Sequence, residues 1–113
     1  MKIRGVSIKT DRSVEVVTYD HAREYDTLRD AVGGRVEHVA LKSPGERGVS
    51  MWVNEEGKII GLPVNRIATM LWTESFGPTD VMVGNVFITG STDAFGDSTD
   101  LTDAEIAAIM EMV

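Results

Sequence analysis

The chain has 113 residues, a formal net charge of -7 and no cysteine. That length suits a single domain, and the missing thiols exclude disulfides, thiolate chemistry and cysteine-ligated zinc. No apolar run approaches the roughly 20 residues a membrane helix needs, and Lys2 to Ser7 alternate like a strand rather than opening an export signal, so the expected setting is cytoplasmic.

Residues 2–9 predict a first strand, Asp11-Arg12-Ser13 a turn, and Val14 to Tyr19 a second, β-branched strand, together a hairpin. A short helix is expected over Tyr25 to Val32. Asp26 or Thr27 would cap it and Gly33-Gly34 would end it, because glycine accepts the left-handed conformation there. Val36 to Leu41 reads as a third strand, and Ser43 to Gly48 as a loop. Val49 to Asn54 and Lys58 to Ile60 flank an Asn/Gly turn and predict a second hairpin. Pro63 suits the first turn of a helix, with Val64, Ile67, Ala68 and Leu71 spaced as one buried face. Gly77-Pro78 ends it, and Val81 to Thr89 is apolar enough for a central strand. Gly90 to Asp100 reads as a polar, mobile stretch. A final helix is announced by the Thr102/Glu105 capping-box spacing, with Ile106, Ile109, Met110 and Val113 as its stripe. The sum is a single α+β domain with a mainly antiparallel sheet and two or three short helices. It divides into a hairpin (2–19), a middle (about 25–90) and an acidic loop plus helix (91–113).

Charge is uneven along the chain. Residues 1–53 carry 8 acids against 9 Lys/Arg, whereas residues 54–113 carry 10 acids against Lys58 and Arg66 alone. This predicts an acidic face late in the chain. It argues against direct nucleic-acid binding, which phosphate neutralisation drives, and suits a basic protein partner or a mimic of nucleic-acid charge.

Three stretches, "DAVGGRVEHVAL" (30–41), "WVNEEGKIIGLPVNRIATMLW" (52–72) and "DVMVGNVFITG" (80–90), together resemble the domain-of-unknown-function family 3846. The shared pattern is Val32-Gly33-Gly34, the Asn54 to Lys58 turn, Leu62 to Thr69 at a helix start, and Gly84-Asn85. The resemblance implies a phage or mobile-element origin and a bacterial host cytoplasm. It implies no activity, so the residues must carry the functional argument.

Two readings of the 52–72 stretch stand open. In one, Asn54, Lys58, Asn65 and Arg66, with Asn85 nearby, hold an anionic or amide-bearing ligand at a helix N-terminus. In the other, Asn54 and Gly57 make a turn, and Asn65 and Thr69 bond to neighbouring backbone. Trp52, if exposed beside Glu55-Glu56, would anchor a partner. His21 and His38 lack metal-ligand spacing, and Asp93, Asp97, Asp100 and Asp103 do not match a calcium loop. No nucleophile elbow, phosphate loop or dinucleotide fingerprint occurs, so neither catalysis nor a cofactor is expected. The expected function is an accessory protein that binds a host or phage protein through an acidic face, DNA mimicry being one form. The alternatives are a small-ligand or nucleotide binder and an enzyme of unrecognised type. Exposed sheet edges leave a homodimer open.

Overall fold

The computed structural model describes residues 1–113. Five strands form one antiparallel sheet: β1 (Lys2–Ile8), β2 (Val14–Asp20), β3 (Val36–Leu41), β4 (Val49–Asn54) and β5 (Val86–Gly90). Their order is β2-β1-β5-β4-β3, so the last strand in sequence lies at the centre and β2 and β3 form the edges. Helices α1 (Glu24–Val32), α2 (Arg66–Phe76) and α3 (Asp103–Met110) cover it. No helix is long and apolar enough to cross a membrane.

Alternation along the strands sorts the core into two layers. Val6, Ile8, Met51, Val53, Val86 and Ile88 face Ile67, Ala68 and Leu71 of α2 and Ile109 of α3. Ile3, Tyr19 and Phe87 face Leu28 of α1 on the other side. Each fully buried Leu or Ile contributes roughly 1.5–3 kcal/mol, so α2 is held mainly by Ile67 and Leu71. Gly5 makes the α1 side possible. A Cβ there would lie against the Phe87 ring and 2.7 Å from the carbonyl of Ile88, so only glycine lets Phe87 cross over β1.

Several expectations hold. The first hairpin forms in register from Lys2↔Asp20 to Ile8↔Val14. β3 and β4 have the predicted spans. Gly33 ends α1 at φ 76°, its N–H donating to the carbonyl of Arg29. Thr102 and Glu105 close a capping box on α3.

Others are corrected. α1 starts at Glu24, with neither Asp26 nor Thr27 capping it. Asp20 instead accepts from Ala22 N–H in the 3-10 turn before it. Lys58 to Ile60 is no strand: the Leu62 N–H donates to the carbonyl of Gly57, closing successive turns and leaving Ile59 86% exposed. α2 begins at Arg66 with Asn65 as its cap, not at Pro63, and Val64 lies outside it, 57% exposed. Only Val86 onward joins the sheet, while Val83 makes a lone bridge to Val64. In α3 the core is met by Ile109, with Ile106 packed against it, whereas Met110 and Val113 are exposed. The 91–100 stretch is tied at its far end: Gly90 N–H donates to the carbonyl of Thr99, Leu101 N–H to that of Arg4, and Ser98 is buried.

Folding joins some of the second half's acids to cations of the first. Arg4 meets Asp103 at 2.9 Å, Arg35 meets Glu55 at 3.4 Å, and Arg47 meets Glu105 at 2.8 Å. Lys58 pairs with Asp80, and His21 faces Asp97 at 3.8 Å. Arg47 is the most connected. It grips both carboxylate oxygens of Glu105, the hydroxyl of Thr99 and the carbonyl of Asp100. Glu105 is only 5% exposed. Burial pushes its carboxyl up, but the Arg47 guanidinium and Thr102 N–H outweigh it and hold it below the ordinary 4.5. A folded value below the unfolded one means that stability is present above pH 4.5 and lost as pH falls through the folded value. The melting-temperature gap between wild type and Glu105→Gln should therefore be open at neutral pH and close as acid is added below pH 4.5. A thermal melt series across pH checks it; a gap independent of pH would contradict the ion-pair account.

Candidate functional site

The residues of the helix-start cluster are built into the frame. Asn65 is 0% exposed. Its amide nitrogen donates to the carbonyls of Ile8 (3.1 Å) and Gly84 (3.0 Å), and its oxygen accepts from Ala68 N–H (3.1 Å). Its backbone N–H donates to the carbonyl of Met82 at 2.8 Å. Every polar group of the side chain's reach is thus taken by main chain, and none faces a ligand. Asn54 behaves similarly: buried, it donates to the carbonyl of Val32 and accepts from Glu56 N–H. Thr69 accepts from Met82 N–H and donates to the carbonyl of Asn65.

The remaining predicted residues disperse. Arg66 is exposed on a shallow hollow with Val64, Met70 and Val81. Asn85 accepts from Thr10 N–H at 3.1 Å and borders a separate cleft with Asn54, Ile60 and Pro63. Trp52 lies half-buried on the α1 side, stacked on His38 with ring centroids 4.5 Å apart, its N–H donating to the Thr89 hydroxyl. It does not meet the Glu55-Glu56 turn as an exposed anchor. Glu56 is exposed, and Glu55 is exposed toward Arg35.

Glu55, Lys58 and Asn54 do converge, with residues the sequence reading left out. Together with Glu37, Trp72 and Asp80 they border a groove of about 370 Å³, continued by Val81 to Val83. α2 ends at Gly77, and the chain returns through Asp80 to pair Val83 with Val64. The groove lies between that returning segment and the β3–β4 corner. Its floor is Val39, Val53 and Trp72; its rim carries three carboxylates against one ammonium. Trp72 is held by Phe76, with centroids 4.6 Å apart, and donates its N–H to the Thr79 hydroxyl at 2.9 Å. The Lys58 ammonium, followed by Val81 N–H, holds the Asp80 carboxyl below its ordinary 3.8. Burial pushes the His38 imidazole below its ordinary 6.5, so this neighbour is neutral at pH 7.

Three consecutive β3 residues, Glu37, His38 and Val39, border the groove, which therefore runs along the outermost strand of the sheet. The signal available in sequence was slight. Glu37 interrupts an apolar strand, and Asp80 stands 22 residues from Lys58. No group of histidine, cysteine, aspartate and glutamate side chains is arranged to hold a metal ion.

The molecule is thus an α+β domain with a five-stranded antiparallel sheet, helices on both faces and an acid-rimmed groove at one sheet edge. A family model described as Domain of unknown function (DUF3846) matches residues 1–113, and the chain belongs to that family. The match spans the first hairpin and the acidic tail as well as the 25–90 region that carried the resemblance. No curated protein and no solved structure matches the chain.

Asn65→Ala should cost about 2–4 kcal/mol, from a lost helix cap and two buried carbonyls left without a donor. Arg66→Ala, one residue on, should stay within about 0.5 kcal/mol. Denaturant melts of the two variants check this; equal, small effects would return Asn65 to the list of ligand-binding residues.

Proposed function

We propose that the protein is a small accessory factor of the phage or plasmid kind, acting in a bacterial cytoplasm by holding a protein partner rather than by catalysis. The observation that carries this reading is the groove beside β3, whose apolar floor is rimmed by Glu37, which no cation of this chain meets, and by Glu55, whose contact with Arg35 is exposed, an arrangement that suits a basic polypeptide surface. The small-ligand reading has less support, because the amides of Asn65 and Asn54 that would orient a ligand are spent on backbone. Mimicry of a nucleic acid also has less support. Asp80, Asp103, Glu55 and Glu105 each face a cation of this same chain, which takes these carboxylates out of any run that could imitate phosphates. No catalytic motif in the sequence favours an enzyme.

The test is capture from nuclease-treated bacterial lysate with three baits: wild type, Glu37→Lys/Glu55→Lys in the groove, and Asp93→Lys/Asp97→Lys in the distal loop. A protein retained by wild type and by the loop variant, released by added salt and lost with the groove variant, is the expected result. Equal retention by all three baits, or no specific retention by wild type, would overturn the proposal.

A further inference from the structure

We infer that the open edge of β3 accepts an extended, basic segment of the partner as a sixth strand, its cationic side chains entering the groove. This rests on the partner-binding reading and assigns it a mode of attachment. The geometry follows from register. Glu55 N–H donates to the carbonyl of Arg35, and the β3–β4 pairs run from Val36↔Asn54 to Leu41↔Val49. Antiparallel pairs alternate between bonded and non-bonded, so Glu37, Val39 and Leu41 spend their backbone groups on β4. Val36, His38 and Ala40 therefore direct N–H and C=O outward, and no other segment of the chain bonds to them. Such a row of unpaired groups is a template for another strand.

Edges of this kind are commonly blunted by proline, a bulge or a covering segment. β3 pairs without interruption and holds no proline. The other edge, β2, also lies open, but the cavity near it is lined mostly by polar residues, Lys9 among them, and offers a cationic side chain no comparable apolar floor. The β3 edge is distinguished by the groove. An added strand would place alternate side chains over Val39, Val53 and Trp72. A lysine or arginine fits there best. Its methylene stem lies on the apolar floor, and its charge reaches Glu37, which no cation of this chain meets, and Glu55, whose contact with Arg35 is exposed. A second copy of this chain fits poorly, because it would bring another acid-rimmed groove against this one.

The experiment uses the full chain, labelled for NMR, and a synthetic peptide of alternating lysine and valine as the probe. Its counterparts are the same peptide N-methylated at alternate residues and a glutamate-for-lysine version. Amide exchange at Val36, His38 and Ala40 should slow at least about tenfold on peptide saturation, while Glu37, Val39 and Leu41 change little. The N-methylated and glutamate peptides should bind at least about tenfold more weakly. Unchanged exchange at the outward amides, equal binding of the N-methylated peptide, or protection confined to β2 would overturn the strand-addition mode. Those results would leave the groove's role in lysate capture to stand or fall separately. Sedimentation of wild type and Ala40→Pro, which removes one outward N–H and no ladder bond, covers the remaining occupant. A dimer abolished by the proline would assign the edge to a second copy and overturn the basic-partner assignment; a monomer in both is expected.

Discussion

One buried amide organises the functional end of this molecule. Asn65 joins the end of β1, the approach to β5 and the first turn of α2 at a single point. A buried carbonyl without a donor costs about 1–3 kcal/mol, so the three elements are locked together wherever that amide sits. The consequence reaches further than the cap. With α2 fixed at its start, Trp72 falls over the β3–β4 corner, and Met82 is drawn under the helix by its bonds to Asn65 and Thr69. The segment from Asp80 to Val83 then forms the outer wall of the groove. A residue that looks like a ligand donor in sequence thus builds the place where a ligand would go.

Charge is organised by the same folding. The charge-balanced first half and the acidic second half are brought together, and most of the close ion pairs span long stretches of sequence. Arg47 and Glu105 staple the 42–48 loop to α3 and to the strand-like return at Thr99. Glu37 on the groove rim is among the carboxylates that no cation of this chain meets. Exposed pairs such as Arg35–Glu55 contribute about 0–1 kcal/mol, so a partner cation could displace such a contact at little cost.

The sequence was readable where structure is local. β3 and β4 alternate cleanly between turn signals, Gly33 supplies the left-handed stop, and Thr102 and Glu105 cap each other three residues apart. It misled where tertiary bonds decide. Pro63 looks like a helix start, but Asn65 two residues later carries the amide that satisfies Ala68 N–H, so α2 begins there. Ile59 and Ile60 look like strand, yet the Ile60 N–H donates to the carbonyl of Glu56 and the Leu62 N–H to that of Gly57, with Gly61 at φ 73°, so the chain coils before they can pair. The groove was illegible for a different reason. Glu37, Trp72 and Asp80 meet because β5 inserts between β1 and β4 and leaves β3 outermost. That order is set by long-range pairing, and no local pattern announces it.

The central claim is that β3 is an uncovered edge beside a preformed groove. Native-state amide exchange on the isolated protein tests it most directly. The account predicts alternation along β3, with Glu37, Val39 and Leu41 strongly protected and Val36, His38 and Ala40 exchanging fast. Uniform protection along the strand would contradict it, because something would already be paired to that edge.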